Sequence, residues 1–300
     1  EPRQRPLLAL LLRLGSALCF SIMFLLVKLA SESGVHVLEI AFWRQAVAPL
    51  PLLAWLMLRG EVGQLRTQRL SGHVARSLVG NGNMAIIFFA ATLLPLAESI
   101  TLGFTTPLFA VIIAAMVLGE QIGPWRWTAV LAGFAGILVI THPGSELVNP
   151  LGTSLALFAA VLVAIINFQI RNLGRTESAV SIVFYFGLLG TLMMGTAMPF
   201  VMTPHSSYQW LLLLSMGAAG TIAQLLMTAS LRMASVASVI IMDYSSLIWA
   251  TVLGWLAWNQ FPSTSTWLGA PLIIGAGLLI AWREHRLARN RSQLAAAGLD

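Results

Sequence analysis

Long apolar segments follow one another along almost the whole chain, and they constrain its fold more than any other feature. A helix needs about 20 apolar residues to cross a hydrocarbon core about 30 Å thick. Of the 300 residues, 58% are hydrophobic and 9% are charged, whereas soluble domains have about 25% charged residues. We therefore predict an all-α integral membrane protein with ten transmembrane helices in the inner membrane.

Breaks at glycine, proline and charged residues set the bounds of these helices. The first segment is also long enough for a signal peptide. Its apolar residues begin at Leu7, however, so that it can span the membrane if Arg13 extends to the interface. The predicted helices are 7–30, 37–58, 74–94, 97–118, 124–141, 151–171, 178–201, 208–231, 235–257 and 265–282.

Basic residues predict how the chain crosses the membrane. With the N-terminus in the cytoplasm, all 17 lysine and arginine residues except Lys28 and Arg44 lie toward the cytoplasm. This is the bias expected of a membrane protein, and it places both termini in the cytoplasm. The basic residues stand singly between apolar runs, so the net charge of +6 does not indicate a nucleic-acid partner.

An internal repeat predicts the architecture. Segment 96–121 aligns with segment 236–261 without a gap, and the alignment pairs Phe104 with Tyr244. Each repeat has five predicted helices, an odd number, so the second enters the membrane inverted, as in many secondary transporters. We predict a first repeat at 1–145, a second, inverted repeat at 146–285 and a cytoplasmic tail at 286–300.

Motifs in predicted helices 4 and 5 are similar to a known family. Pro107, Leu118-Gly119-Glu120 and Gly133-Phe134-Ala135-Gly136 resemble the EamA-type repeat of the drug/metabolite transporter superfamily, and the resemblance covers nearly the whole chain. Among its members, bacterial aromatic amino-acid exporters of the YddG type look closest in length and helix count. The resemblance implies a central cavity formed by helices 1, 3, 4, 6, 8 and 9. Leu247 stands where the first repeat has Pro107, which implies that the two halves bend unequally.

Charged residues inside the predicted helices are the main candidates for a functional site, because intramembrane charges usually mark a transport pathway. Asp243, placed near the middle of helix 9, is predicted to bind a substrate ammonium group or to exchange a proton. A structural hydrogen-bond acceptor is the alternative. Arg44 and Glu98 are placed to pair at the outer mouth, as a gate or a carboxylate clamp, with interfacial anchoring as the alternative. Pro107 is the predicted hinge, with Thr105 and Thr106 bonding the backbone groups that it frees.

Uncharged polar and aromatic side chains complete the predicted substrate site. Asn83 and Gln224 are the preferred amides, since they lie near equivalent positions of the two repeats. Interhelical hydrogen bonding is the alternative for such amides. The other predicted substrate-binding residues are Met23, Phe104, Asn167, Tyr244 and Trp249, whose side chains suit an apolar or aromatic solute.

These features predict a secondary transporter that moves a small solute by alternating access. The resemblance implies export of amino acids, aromatic and other neutral ones, or of related metabolites, with protons as a candidate coupling ion. Two alternatives within the superfamily are an importer of a nucleotide-related metabolite and a cationic-drug exporter. Outside transport, a scramblase-like module in contact with membrane lipid, or a receptor, stays open. No enzymatic activity, metal or cofactor is expected, because the five histidines lie in loops or near helix ends and no Gly-x-Ser-x-Gly motif is present. The single lysine, Lys28, excludes a Walker A motif, which argues against pumping driven by ATP.

Overall fold

The fold is known from a computed structural model that describes residues 6–116, 123–141, 149–174, 176–233 and 240–296. Over these ranges the secondary structure is helical, without a β-strand. The Leu118-Gly119-Glu120 motif lies outside the described residues. Eight helices are long and apolar enough to cross a membrane: Leu7–Glu32, Val37–Leu58, Leu70–Leu93, Leu96–Met116, Pro124–Thr141, Pro150–Ile170, Ser207–Met227 and Thr264–Trp282.

Two further predicted spans are shorter or divided, so the number of ten stays a prediction. Val180–Gly195 is a shorter apolar helix, and the ninth predicted span is divided at Ser245.

The α-helices are α1 Pro6–Glu32, α2 Val37–Ala46, α3 Pro49–Leu58, α4 Leu70–Leu93, α5 Leu96–Gly103, α6 Thr106–Met116, α7 Pro124–Thr141, α8 Pro150–Leu173, α9 Ala179–Gly195, α10 Met198–Val201, α11 Ser207–Met233, α12 Ser246–Trp258 and α13 Thr264–Ala296. Val62–Leu65 and Ile240–Ser245 form 3₁₀-helices. Helix α13 therefore continues through most of the predicted tail.

The most extensive helix contacts join α1 to α11, α7 to α13 and α4 to α8. Helices α1 and α11 are antiparallel. Ser16, in the first half of α1, donates a hydrogen bond to the carbonyl of Ala223, while the carbonyl of Ser33, just beyond the end of α1, accepts one from Gln209 near the start of α11. Between α7 and α13, a Cβ at Gly136 would lie 2.8 Å from the carbonyl oxygen of Gly269. The glycine therefore allows the close helix packing that its motif predicts.

The pattern of helix contacts has the two-fold character that an inverted repeat requires. The repeat alignment makes α8 the counterpart of α1, and α11 the counterpart of α4. Exchanging the two halves therefore turns the α1–α11 pair into the α8–α4 pair. The pairs α7–α13 and α2–α9, which are both in contact, are each converted into themselves. This pattern is the one that two inverted repeats would produce, and the bounds of the repeats stay a prediction.

Both central spans are broken at equivalent positions. The fourth predicted helix divides into α5 and α6, and α6 begins at Thr106. The ninth divides into a 3₁₀-helix and α12, which begins at Ser246, the residue that the repeat alignment pairs with Thr106. The second half thus breaks at the same point with Leu247 in place of the proline, so the break does not depend on Pro107. Unequal bending of the two halves stays a prediction.

Pairs of hydroxyl groups lie at both breaks. Thr105 and Thr106 each donate to the carbonyl three residues earlier, at 2.6 and 2.9 Å, which confirms the predicted role of these threonines. Ser245 and Ser246 make the same two bonds, both at 2.6 Å. Such local side-chain bonds satisfy carbonyls that the broken helix leaves without a backbone donor. The common feature of the two repeats is thus the pair of hydroxyl residues rather than the proline.

Candidate functional site

A cavity of about 280 Å³ lies beside the two helix breaks. It opens between α1, α5, α11 and the segment that leads into α12. These elements correspond to four of the six helices that the family resemblance implies. The lining residues are Arg13, Ser16, Ala17, Phe20, Ser21, Phe24, Ile100, Phe104, Met227, Asp243 and Ser246.

An ion pair between Arg13 and Asp243 forms the charged part of the cavity wall. The Nε and Nη2 atoms of Arg13 donate to the two carboxylate oxygens of Asp243, each at 2.5 Å. The Arg13 side chain is 11% exposed and that of Asp243 is 34% exposed. The pair therefore has no net charge, and its carboxylate side faces the cavity. The third nitrogen, Nη1, is buried without a hydrogen-bond partner.

This geometry corrects two expectations. Arg13 does not extend to the interface, because Asp243 holds its guanidinium in a bidentate contact, the strongest geometry available to an arginine. Asp243 does not lie in the middle of a continuous α-helix but in the 3₁₀-helix that precedes α12. The break in the helix is what brings the carboxylate to the cavity.

Aromatic rings form the apolar part of the wall. Phe20 and Phe24 of α1 and Phe104 at the end of α5 line the cavity. The ring of Phe104 meets that of Tyr244 edge to face, with centroids 5.0 Å apart. These two residues are equivalent in the repeats, so their contact marks where the two halves meet. Tyr244 supports the wall from behind, with its hydroxyl group against Gly277 of α13.

The structure brings only part of the predicted site together. Phe104 and Asp243 line the cavity, whereas Met23, Asn83, Gln224, Tyr244 and Trp249 are not among its lining residues. Met23 is 4% exposed and lies in an apolar cluster. Asn83 is 3% exposed, with an unbonded side-chain oxygen. Gln224 and Trp249 are partly buried, and the side chain of Asn167 lies outside the described residues.

The predicted pair of Arg44 and Glu98 is wrong. Arg44 instead points at α11, where Nη2 donates to the carbonyl of Gly220 at 3.2 Å. Its guanidinium fits there because a Cβ at Gly220 would overlap it. Glu98 lies in the first turn of α5, where the helix dipole favours a carboxylate, and accepts a hydrogen bond from Thr266 at 3.4 Å.

Lys28 takes a position that the sequence did not predict. Its Nζ donates to the carbonyl of Leu94 at 3.0 Å and lies 4.9 Å from the ring centroid of Trp258. The indole of Trp258 donates to Glu32 at 2.9 Å. Lys28 and Glu32, four residues apart, therefore both contact Trp258.

Arg13 is the main functional candidate that the sequence analysis missed. Its signal was present, since it is a charged residue within a 27-residue helix of otherwise apolar character. An arginine near a helix end usually extends to the interface, and that expectation concealed it. Its partner is 230 residues away, so only the packing of α1 against the second repeat reveals the pair.

Spanning helices arranged around a solute-sized cavity are the architecture of a multi-pass inner-membrane transport protein. The chain matches the EamA-like transporter family over residues 7–142 and 150–282, and it belongs to that family. The two matched ranges correspond closely to the two predicted repeats.

Several named transporters are similar to the chain over most of its length. A riboflavin transporter of Vibrio cholerae is 29% identical over 97% of this chain and 98% of its own. An S-adenosylmethionine uptake transporter of Rickettsia prowazekii is 28% identical over 86% and 87%. A pseudopaline exporter of Pseudomonas aeruginosa is 29% identical over 90% and 95%.

A solved crystal structure has the same fold. It superimposes with a TM-score of 0.61, covers 91% of this chain and 98% of its own, and is 20% identical in sequence. The likeness therefore supports the helical arrangement independently of close sequence similarity.

Proposed function

We propose that the protein is a secondary transporter that exports amino acids, aromatic and other neutral ones, or related small metabolites. The observation that carries the proposal is the combination of a neutral Arg13–Asp243 pair with phenylalanine rings in one cavity. An amino acid has an ammonium group, a carboxylate and, in these cases, an apolar side chain. Each part has a complementary group in the wall.

The binding roles follow from exposure and hydrogen bonding. Asp243 faces the cavity and has lone pairs left for a substrate ammonium group. Arg13 Nη1 is a buried donor without a hydrogen-bond partner, and in this proposal it binds the substrate carboxylate. The rings of Phe20, Phe24 and Phe104 receive the apolar side chain. The volume of about 280 Å³ lies just below the range of about 300 to 1,000 Å³ for drug-sized ligands, which favours a small solute.

Alternating access is supported by the paired breaks and by the two-fold contact pattern. In this proposal the chain has ten helices in two inverted repeats, with both termini in the cytoplasm. The segments 103–106 and 243–246 act as hinges, and the halves rock around the cavity between them. Pro107 and its two threonines are the hinge of the first half, and Ser245 and Ser246 that of the second.

Import of a nucleotide-related metabolite is the second candidate. It is favoured by the relatives named for riboflavin and for S-adenosylmethionine uptake, while another relative is named as an exporter. A cationic-drug exporter is less well supported, because Arg13 already balances the charge of Asp243 and leaves the cavity neutral.

The test is uptake of radiolabelled phenylalanine, tryptophan, methionine and threonine into proteoliposomes, with riboflavin and S-adenosylmethionine assayed in parallel. We expect saturable uptake of at least one amino acid, lost in Asp243→Asn and retained in Arg59→Gln, which changes an arginine outside the site. Efflux from preloaded vesicles of known protein orientation then gives the preferred direction. Uptake of none of the four amino acids by folded protein, under either sign of the pH gradient, refutes the amino-acid assignment.

A further inference from the structure

A second group of buried polar side chains lies between α4 and α9, apart from the cavity. It consists of His73, Arg76 and Ser77 of α4 and Ser181 of α9, which are 1%, 8%, 0% and 0% exposed. Positions 73, 76 and 77 share one face of α4 because residues three and four apart are neighbours on a helix. Ser181 lies in the first turn of α9.

Ring contacts show that this face of α4 packs on α9. The imidazole of His73 lies against the ring of Tyr185, with centroids 4.6 Å apart. The guanidinium carbon of Arg76 lies 4.2 Å from the ring centroid of Phe186. Ser181 is one helical turn before Tyr185, so all four polar residues belong to the same part of the interface, near the end at which both helices begin.

The four side chains share an unusual feature, which is buried polar atoms without a hydrogen-bond partner. These atoms are Nε and Nη1 of Arg76, the hydroxyl oxygens of Ser77 and Ser181, and Nε2 of His73, which makes no hydrogen bond but lies 3.4 Å from the Glu177 carboxylate. Each belongs to a group able to donate a hydrogen bond. Most buried polar groups in proteins are paired, since an unpaired one costs about 1–3 kcal/mol. A concentration of donors at one place matches a ligand that supplies only acceptors.

The positive charge of Arg76 is also uncompensated. Among the described residues, no carboxylate lies within ion-pair distance of its guanidinium. The acid that approaches the cluster is Glu177, whose Oε2 lies 3.4 Å from His73 Nε2. Its other oxygen accepts a hydrogen bond from Thr67 at 2.9 Å. Glu177 is thus engaged by two other residues, unlike Asp243, which pairs directly with Arg13.

Arg76 is held in place by a ring on one side and a glycine on the other. A Cβ at Gly80, one turn further along α4, would overlap Nη1 of Arg76. Because Gly80 has no side chain, the Arg76 guanidinium has room beside α4 while it packs on the ring of Phe186. A fixed guanidinium recognises a planar oxyanion well because little conformational freedom is lost on binding.

We propose that His73, Arg76, Ser77 and Ser181 form a binding site for an oxyanion, a carboxylate or a phosphate group, that is separate from the transport cavity. The N-terminus of α9 adds to the attraction, since Ser181 stands in its first turn. The oxyanion has two possible sources, a soluble anion or the headgroup of an anionic lipid, and both offer the same acceptor oxygens.

The test uses the purified, delipidated full chain in neutral detergent and measures its melting temperature. Inorganic phosphate, acetate and micelles with phosphatidylglycerol are each compared with chloride at equal ionic strength. A ligand present at 100 times its Kd is expected to raise the melting temperature by about 4 °C. Stabilisation by phosphate or acetate identifies a soluble anion, and stabilisation by phosphatidylglycerol alone identifies a lipid.

Matched variants connect the response to the site. Arg76→Gln is expected to remove it, Ser77→Ala to weaken it at least threefold in Kd, and Arg59→Gln to leave it unchanged. Ser77→Ala keeps the test decisive if Arg76→Gln does not fold. The proposal is overturned if none of the three ligands stabilises the wild-type chain, or if both site variants respond as the wild type does. It is also overturned if a response appears only in Glu177→Gln, because Glu177 would then be the partner of Arg76.

Discussion

Removing one partner of the Arg13–Asp243 pair should destabilise the protein much more than removing both. Breaking a fully buried ion pair costs about 3–5 kcal/mol, because the remaining charge is left without a partner. The Asp243 side chain is 34% exposed, so solvent screens part of this penalty, and about 2–3 kcal/mol is a reasonable expectation for either single variant. With a shift of about 2 °C per kcal/mol for a chain of this size, the melting temperature falls by about 4–6 °C.

The assay is a double-mutant cycle with Arg13→Gln, Asp243→Asn and the combined variant. Melting is measured in detergent, and transport is measured in proteoliposomes from the same preparations. The combined variant is expected to lose no more than about 1 kcal/mol. With losses of about 2–3 kcal/mol in each single variant, the coupling energy is then about 3–5 kcal/mol. The combined variant should not recover transport, since both groups proposed to bind the substrate are gone.

Two outcomes would refute this reasoning. Additive losses of melting temperature in the combined variant would mean that the two residues do not interact. Recovery of transport together with stability would mean that the pair has a structural role only. Arg59→Gln is the control for loss of a positive charge elsewhere, because Arg59 stacks on Trp55 at the end of α3, outside the site.

Three further predictions follow from individual contacts. Gly220→Ala should lower the melting temperature by about 2–6 °C, because the added Cβ would overlap the Arg44 guanidinium and overpacking costs about 1–3 kcal/mol. Gly275→Ala is the control: a Cβ at Gly275 faces open space, so the melting temperature should change little. Phe104→Ala should raise the KM for aromatic solutes more than for threonine, as measured by uptake, and an equal change for both would contradict an aromatic wall. Asp243→Asn should abolish any dependence of uptake on a pH gradient if this carboxylate exchanges the proton, and unchanged coupling would exclude that role.

The membrane fold could be predicted from the sequence because it depends on properties that each segment carries by itself. A run of about 20 apolar residues has the length and hydropathy to span a bilayer wherever it packs. The repeat was visible for a similar reason, since a single ungapped alignment matches turns and aromatic residues together. The breaks were harder to predict, because Ser245 and Ser246 within an apolar run read as ordinary helix residues. Their bonds to the backbone, which compete with the helix, are seen only in the structure.

The site could be predicted only in part, because its contacts join distant parts of the chain. Asp243 and Phe104 were identified by residue type and depth, and both line the cavity. The partners of Asp243 and Arg44 depend on how α1 and α2 pack on the second repeat. Arg44 packs into the space beside Gly220 and does not pair with Glu98. The spacing of residues along the sequence does not reveal that such a space exists.

The two repeats share a pair of hydroxyl residues at the helix break, but they do not share a charge. Thr105 and Thr106 in one half, and Ser245 and Ser246 in the other, make the same backbone contacts at equivalent positions. The position equivalent to Asp243 is Gly103, which has no carboxylate to offer. A symmetric scaffold allows both mouths to open by the same movement. A charged group in one half only favours a single orientation of a bound solute whose two ends differ. The residues at the breaks therefore follow the repeat, while the charged group departs from it. In the proposed mechanism, a solute held by Asp243 moves with the hinge proposed for the second half.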